Sequence, residues 1–311
     1  MGSGMEEGMG SGMEEGTIEV HLVDGTYELF RHHFALPSHA GAGGQEVAAV
    51  RGVLGSVLAL IGDGATHVGV ATDHVIESFR NAMYARYKTS AGVAPELLGQ
   101  FGLLEEALVA MGVVVWPMVD LEADDALASA AAVAAGDAAV GRVLVCSPDK
   151  DLAQCVLGER VVILDRRKRL VVDESGVRAR FGVGPASIPD WLALVGDAAD
   201  GFPGLPRWGS ASATAVLARW GTIEAIPALP ERWGVQVRGA ANLAASLRHG
   251  RADAMLFKDL ATLRVDRSLL GSPEELRWRG PKPEFPAVCR RLDAPELVER
   301  AEAAATRAGG R

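Results

Sequence analysis

The stretch Leu121-Glu122-Ala123-Asp124-Asp125 places three carboxylates within four residues. A short apolar run, Val113 to Val115, precedes it, and an alanine-rich segment that is typical of a helix follows. This context predicts a strand, a loop and a helix start, where the positive end of the helix dipole offsets repulsion between the acids. A single acid would be a helix cap, but capping needs only one or two. Clustered carboxylates suit hard cations such as Mg²⁺ or Mn²⁺.

Other acids follow short apolar runs elsewhere in the chain. They are Asp24, Asp73, Asp149 and Asp151. Strands that alternate with helices predict an α/β fold with a mainly parallel central sheet and helices on both faces. In open α/β sheets the functional site lies at the carboxyl ends of the strands. The sequence therefore predicts that four separate segments bring acids to one edge of the sheet.

The pattern divides the chain into four parts. Residues 1–16 contain an eight-residue block twice, and we interpret them as a tag or a disordered leader. Residues 17–173 form the α/β core, which ends in a predicted hairpin with the basic turn Arg166–Arg169. Residues 174–266 have a helical pattern, and residues 267–311 form a C-terminal segment with a terminal helix at 294–308.

The composition restricts the class of protein. The formal net charge is −9, and leaving out the four glutamates of the first sixteen residues brings it to −5. The sequence has no run of eighteen apolar residues, so we expect no transmembrane helix. The cysteines Cys146, Cys155 and Cys289 lack metal-ligand spacing. Reduced thiols in a cytoplasmic protein are the simplest explanation.

Two further segments are suited to a polyanionic partner. The segment from Ile76 to Val93 is polar, aromatic and basic, with little apolar period. Later, Asp197 and Asp200 lie one helical turn apart, before a Gly/Pro-rich hairpin at 202–209 and a helix candidate at 210–220. Backbone amides of such a hairpin can hold a phosphate together with the following helix N-terminus. Residues 201–251 carry six arginines against two glutamates, a local charge of +4.

The order and spacing of these motifs resemble the bacterial and phage 5′ nuclease family. That family includes flap endonucleases and the 5′–3′ exonuclease domain of bacterial DNA polymerase I. The motifs are Leu22-Val23-Asp24-Gly25, Asp73 followed by Phe79-Arg80, Tyr87-Lys88, Glu122-Ala123-Asp124-Asp125, Asp149-Lys150-Asp151 with Gln154, Gly196-Asp197-Ala198-Ala199-Asp200 before Phe202-Pro203-Gly204, and Lys258-Asp259-Leu260-Ala261-Thr262-Leu263. The resemblance implies a PIN-like core, a helical arch at about 76–94 and a DNA-binding helix-hairpin-helix (H3TH) region.

The resemblance also implies a site for two or more Mg²⁺ or Mn²⁺ ions. Its acids are Asp24, Asp73, Glu122, Asp124, Asp125, Asp149, Asp151, Asp197 and Asp200. By resemblance, Asp24, Asp73, Glu122, Asp124 and Asp149 lie nearer the catalytic metal. The other four would complete a second metal position. Two divalent ions roughly 4 Å apart activate a water, neutralise the phosphate and stabilise the leaving oxygen.

DNA contacts are implied at two places. Arg80 and Lys88 would contact the scissile phosphate, and Tyr84 or Tyr87 would stack on an unpaired base. The hairpin would hold the duplex backbone without reading its sequence. The resemblance also implies a K⁺ site at the hairpin. Its DNA-binding residues are Gly204, Arg207, Gly209, Ser210 and Ser212.

The implied function is a structure-selective 5′ nuclease that acts on DNA flaps, nicks and ends in replication and repair. We expect a monomer, working alone or with replication and repair proteins. Two departures from the family leave alternatives open: Thr89–Gly92 stands where a basic residue is common, and the hairpin lacks its usual lysine. The alternatives are a branched-DNA-binding protein with a degenerate site and a PIN-type ribonuclease. We also place His32 and His33 in a loop near Asp24.

Overall fold

The computed structural model describes residues 17–309, so the interpretation of residues 1–16 as a tag or leader lies outside it. A six-stranded sheet forms the centre. Its strands are β1 (Ile18–Asp24), β2 (His67–Asp73), β3 (Val114–Met118), β4 (Val140–Cys146), β5 (Val161–Asp165) and β6 (Leu170–Val172). Their order is β3-β2-β1-β4-β5-β6, and every neighbouring pair is parallel except β5 and β6. The predicted mainly parallel sheet is confirmed.

Thirteen helices surround and extend this sheet in the described part of the chain. They are α1 (Gly25–Ala35), α2 (Ala48–Gly62), α3 (Phe79–Met83), α4 (Pro95–Leu98), α5 (Phe101–Ala110), α6 (Ala123–Gly136), α7 (Glu174–Phe181), α8 (Ile188–Val195), α9 (Ser210–Trp220), α10 (Ala240–His249), α11 (Arg251–Ala261), α12 (Phe285–Arg291) and α13 (Glu296–Gly309). Within residues 17–309, no helix has the length and apolar character that crossing a membrane requires.

The helices lie on both faces of the sheet, as predicted. On one face α6 packs against β1 to β4, and its buried side chains join a core that continues into α8 and α11. On the other face α1, α2 and α5 pack together with the C-terminal helices α12 and α13. Strand β2 is buried along its whole length, as expected for a parallel strand that is covered on both sides.

Two local predictions about helices need correction. His32 and His33 lie in α1 and not in a loop, because Asp24 caps this helix by accepting a hydrogen bond from the Tyr27 amide at 2.8 Å. The apolar spacing between Pro95 and Met111 predicts one helix, but the structure has two, α4 and α5. By contrast, α9 and the β5–β6 hairpin have the predicted bounds within a residue or two.

The segment at 76–94 also differs from the predicted helical arch. It contains the five-residue helix α3, and the chain after Met83 is irregular up to α4. Tertiary hydrogen bonds hold this irregular part in place. The Asn81 side chain donates to the Lys88 carbonyl at 3.0 Å, and the Lys88 amide donates to the Asp200 carbonyl at 3.1 Å. We call residues 84–94 the Lys88 loop.

The H3TH region is built from α8, the turn from Gly196 to Gly209, and α9. Gly204 lies in the left-handed region at φ 69°, and a Cβ there would lie 2.4 Å from the Gly196 amide nitrogen. Glycine is therefore required for the turn to approach the end of α8 so closely. This approach places Asp197 and Asp200 beside the sheet edge, where the other acids lie.

Candidate metal centre

A first group of acids lies at the carboxyl edge of the sheet. Asp24 ends β1 and Asp73 ends the neighbouring strand β2. Ser147, which follows β4, donates a hydrogen bond from Oγ to Asp24 Oδ2 at 2.8 Å. The Ala123 amide, in the first turn of α6, donates to Asp73 Oδ1 at 2.7 Å. These bonds tie two strand ends to the segments that carry the remaining acids of this group: Glu122, Asp124 and Asp149.

A second group joins the sheet edge to the helical region. Single carboxylate oxygens of Asp151, Asp197 and Asp200 lie within 4.8 Å of one another. Asp151 comes from a short 3₁₀ turn after β4, whereas the other two follow α8. Lys150 Nζ lies 2.6 Å from Asp197 Oδ2, and the Ala199 amide donates to Asp197 Oδ1 at 3.0 Å. The structure thus brings together acids that are some fifty residues apart in the chain.

Lys88 lies between the two groups. Its Nζ is 2.9 Å from Glu122 Oε2 and 3.3 Å from Asp200 Oδ1, and its side chain is 27% exposed. Burial would lower the pKa of Lys88, but the carboxylates of Asp200 and Glu122 outweigh burial and raise the pKa well above its usual value. Lys88 is therefore a positively charged ammonium group held by one acid from each group.

The acids shift one another's pKa values. Burial, with the neighbouring charges of Asp73 and Asp149, raises the pKa of Asp24 to about 7. Burial and the charges of Asp149 and Asp24 raise the pKa of Asp124 well above its usual range. Burial, followed by the charges of Asp149 and Asp200, does the same for Asp151. Such a cluster favours bound cations, because a cation removes the repulsion that keeps protons on the acids.

The donor set fits hard divalent cations. Every candidate ligand in the two groups is a carboxylate oxygen, and the groups contain no cysteine or histidine. Lys88 already shows that the space between Glu122 and Asp200 accepts positive charge. The acids that the structure brings together are Asp24, Asp73, Glu122, Asp124, Asp149, Asp151, Asp197 and Asp200.

Asp125 is the exception among the nine predicted ligands, and the structure corrects its role. Its side chain is fully buried and forms a paired contact with Arg80, at 2.8 Å on each carboxylate oxygen. The same oxygens accept hydrogen bonds from the amides of Glu122 at 3.0 Å and Arg264 at 2.8 Å. Both oxygens are thus engaged away from the acid groups, so Asp125 is not placed to bind a metal here.

Arg80 also needs correction as a phosphate contact. Its side chain is 1% exposed and is paired with Asp125. The carboxylate oxygen Oε1 of Glu122 lies 3.2 Å from Arg80 Nη1. A guanidinium held in this way presents nothing to DNA. The prediction was wrong because a basic residue close to acids in the sequence is equally compatible with a DNA contact and with an internal counter-ion.

The two tyrosines expected to stack on bases differ in burial. Tyr87 is 3% exposed, and its hydroxyl lies 3.2 Å from both Glu122 Oε2 and Asp200 Oδ2. Tyr84 makes an edge-to-face contact with Phe257 of α11, at 5.6 Å between ring centroids. The structure therefore does not support base stacking by Tyr87, whereas Tyr84 is half-buried and its stacking on a base stays a prediction.

The hairpin residues divide into two sets. Gly204 is buried against Gly196 and serves the turn itself. Arg207, Gly209 and Ser210 are exposed, at the tip of the hairpin and at the start of α9. Ser212 Oγ accepts a hydrogen bond from the Gly209 amide and donates one to the Gly209 carbonyl. Arg207 has φ 73°, a left-handed conformation that favours glycine.

Sequence reasoning missed the residues that orient the acids. Ser147 holds Asp24, Lys150 pairs with Asp197, and Ser78 donates a hydrogen bond to Glu122. The first two lie in the run Ser147-Pro148-Asp149-Lys150-Asp151, which also contains two of the acids. Nothing in the sequence indicates that Ser78 contacts Glu122, since the two residues are forty-four positions apart.

Comparison with solved structures defines the class of fold. The chain superimposes on the bacteriophage T5 flap endonuclease, solved in a complex with DNA and metal ions, with a TM-score of 0.62 and 16% identity. The match covers 93% of this chain and 99% of the phage protein. At this identity the likeness shows a common fold, that of an α/β core with a helical C-terminal region.

The sequence itself gives the family. Residues 19–182 match the 5′-3′ exonuclease N-terminal resolvase-like domain, and residues 183–284 match the 5′-3′ exonuclease C-terminal SAM fold. This chain belongs to the 5′-3′ exonuclease family.

Two relatives illustrate the sequence identity and the share of each protein that the match covers. The 5′-3′ exonuclease of Aquifex aeolicus is 32% identical over 209 residues, which cover 67% of this chain and 71% of that protein. DNA polymerase I of Pseudomonas aeruginosa is 33% identical over 259 residues, or 80% of this chain. The chain spans only 27% of that polymerase. The resemblance to the 5′ nuclease family stated from the motifs is confirmed.

Proposed function

We propose that this chain is a structure-selective 5′ nuclease that hydrolyses DNA phosphodiesters with Mg²⁺ or Mn²⁺. The observation that carries the proposal is the pair of adjoining acid groups at the carboxyl edge of the sheet, with Lys88 between them. A protein that only bound DNA would gain nothing from concentrating negative charge where phosphates must approach.

The two groups would hold two cations. Asp24, Asp73, Glu122, Asp124 and Asp149 would serve the first. Asp151, Asp197 and Asp200 would serve the second, with Asp149 beside both groups because its charge acts on Asp124 and on Asp151. When bound, a pair of divalent ions supplies an activated water and stabilises charge on the attacking and leaving oxygens.

Lys88 would act on the phosphate. In the structure its ammonium group is satisfied by Glu122 and Asp200, and it lies on an irregular loop. A DNA phosphate oxygen at the same place would offer Lys88 an equivalent charge-assisted partner. Lys88 would thereby stabilise the negative charge that grows on the phosphate in the transition state.

The hairpin would hold the duplex. Arg207, Gly209 and Ser210 are exposed at its tip, and a helix N-terminus such as the start of α9 favours phosphate. Residues 201–251 carry a local charge of +4, which favours binding to the phosphate backbone of DNA without a preference for base sequence. Ser212 would support the turn through Gly209, and a K⁺ ion bound by hairpin carbonyls would strengthen the same grip.

The proposed substrates are DNA 5′ flaps, nicks and ends, processed during replication and repair in the cytoplasm. The names of the relatives support this choice, since one is a 5′-3′ exonuclease and the T5 structure is a flap endonuclease with DNA and metal ions. We propose that the protein works as a monomer, alone or beside other replication and repair proteins.

Cleavage of a labelled 5′-flap duplex tests the proposal. We expect cleavage that requires Mg²⁺ or Mn²⁺, stops with a chelator and is lost in Asp124→Asn. Ca²⁺ should support binding of the same duplex without cleavage. Binding without turnover at saturating Mn²⁺ would instead identify a branched-DNA-binding protein. Faster cleavage of single-stranded RNA than of the flap would identify a ribonuclease.

A further inference from the structure

Arg80 joins three parts of the chain that are distant in sequence. It belongs to α3, it pairs with Asp125 in the first turn of α6, and it reaches the C-terminal end of α11. Its Nε donates to the Leu260 carbonyl at 2.8 Å, and its Nη2 donates to the Thr262 carbonyl at 3.2 Å. We call these contacts the Arg80 junction.

The junction uses the whole guanidinium group. Arginine has five N–H donors in a fixed planar arrangement. Asp125 takes two of them, Glu122 lies 3.2 Å from Nη1, and the two carbonyls take the rest. Lysine cannot reproduce this pattern, because its ammonium group has three donors on one atom. The carbonyls at the end of α11, which have no partner within the helix, are also stabilised by the positive charge.

On one side, the junction fixes the start of α6. Asp125 accepts the Glu122 amide at 3.0 Å and the Arg264 amide at 2.8 Å while it binds Arg80. Glu122 and Asp124 precede Asp125 at the start of the same helix, and both belong to the first acid group. Their placement therefore depends on Asp125, which is held by Arg80.

On the other side, the junction fixes the second acid group through two helices. Helix α11 packs along α8, and Lys258 of α11 is 2.9 Å from Asp190 of α8. Helix α8 ends at Val195, and Asp197 and Asp200 follow it directly. A shift of α11 against α6 would thus change the distance between the two acid groups.

We propose that Arg80 is a positioning residue that sets the spacing of the two acid groups and so the affinity for the second cation. This inference rests on the proposed function, because it concerns the same metal site. Residues that orient metal ligands without touching the metal typically contribute about 10- to 100-fold to affinity. We assign the effect to the second cation because two of its three ligands, Asp197 and Asp200, are held through α8 and α11. Most acids of the first group instead follow strands of the sheet directly, as Asp24 and Asp73 do.

Mn²⁺ binding without DNA, followed by electron paramagnetic resonance, tests the proposal independently of catalysis. We expect the unaltered protein to bind a tighter and a weaker Mn²⁺ ion. Arg80→Lys should lower the affinity for the weaker ion about 10-fold or more. The affinity for the tighter ion should change by less than about threefold. On a flap substrate, the same variant should lose kcat with little change in KM, because the duplex contacts are elsewhere.

Two further variants keep the test decisive. Arg80→Met combined with Asp125→Asn removes both charges, and the asparagine oxygen still accepts one of the two amide hydrogen bonds that Asp125 accepts. The Mn²⁺ binding of this double variant should resemble that of Arg80→Lys or be weaker. Arg160→Lys is the matched control, since Arg160 also donates to carbonyls at a helix end, those of Ala135 and Asp137 at the opposite end of α6 from the acids. It should lower the melting temperature and leave both Mn²⁺ affinities unchanged.

The outcomes separate the two proposals. If Arg80→Lys or the double variant is folded by circular dichroism and binds both Mn²⁺ ions as the unaltered protein does, this inference is overturned. Failure of both variants to fold would also overturn it, since Arg80 would then be a residue of general stability. If the unaltered protein binds no Mn²⁺, the proposed function fails together with the inference.

Discussion

Replacing Lys88 by methionine should have opposite effects on metal binding and on catalysis. Lys88 Nζ contacts Glu122 and Asp200, one acid from each group, at 2.9 and 3.3 Å. A divalent cation that uses these oxygens must displace the ammonium group. A hydrogen bond to a charged group contributes about 1.5–3 kcal/mol net, so removing one such competitor should tighten Mn²⁺ binding about 10- to 100-fold.

The same substitution should slow the cleavage of DNA. Loss of one group that stabilises charge in the transition state typically lowers kcat by about 10²- to 10³-fold. Lys88→Met keeps a side chain of similar length, and Tyr87 of the same loop still contacts both acids through its hydroxyl, so the Lys88 loop should keep its conformation. The expected variant therefore binds metal better and cuts DNA worse.

Two assays measure these effects separately. A Mn²⁺ titration without DNA gives the affinity, and single-turnover cleavage of a flap at saturating enzyme and Mn²⁺ gives the rate of the chemical step. Arg86→Met is the control, because Arg86 is an exposed cation of the same loop. Unchanged or weaker Mn²⁺ binding in Lys88→Met would refute Lys88 as the competing charge. An unchanged cleavage rate would refute its contact with the phosphate.

Three other predictions concern the acids and the hairpin. Asp124→Asn should lower cleavage by at least about 10³-fold while the Kd for a flap duplex in Ca²⁺ stays within about threefold, which a filter-binding assay checks. Arg207→Gly should keep the free energy of unfolding within about 1 kcal/mol, because glycine relieves the φ 73° strain but is more flexible when unfolded. The same change should reduce the slope of log K against log salt by about 0.9, and an unchanged slope would exclude a phosphate contact. Finally, the pKa of Asp24 is raised from 3.8 to about 7, so the folded state binds more protons than the unfolded state between these values. The contribution of Asp24 to the free energy of unfolding is fully present below its pKa in the unfolded state, and it is lost as pH rises through its pKa in the folded state. The melting temperature in EDTA should therefore fall between about pH 4 and pH 8. Saturating Mn²⁺ should remove most of that fall, and a rise of melting temperature with pH in EDTA would contradict the reasoning.

Much of the acid site could be predicted because parallel strands align their carboxyl ends. Asp24, Asp73 and Asp149 each follow an apolar run, and such runs are read easily when both faces of a strand are buried. Once the runs are strands of one parallel sheet, their ends must lie at one edge. The helices of the second half were likewise predictable where apolar spacing was regular, as in α9.

The Lys88 loop could not be predicted in the same way. Its conformation depends on hydrogen bonds from Asn81 to the Lys88 carbonyl and from Lys88 to the Asp200 carbonyl. A polar, aromatic and basic segment without apolar period is compatible with a helix, a loop or an arch. Only contacts with a distant part of the chain select one of these conformations.

The sequence alone determined which residues form the acid cluster of Leu121–Asp125, but not what each one does. Successive residues of a helix point about 100° apart. Asp124 and Asp125 therefore face different surroundings, although their side chains are identical. Tertiary structure decides that one lies among the other acids and that the other is buried against Arg80. Tertiary structure also brings Asp151 to Asp197 and Asp200. Bringing such distant parts of the chain together costs conformational entropy, which only the packing of the core offsets, so the local sequence pattern does not reveal it.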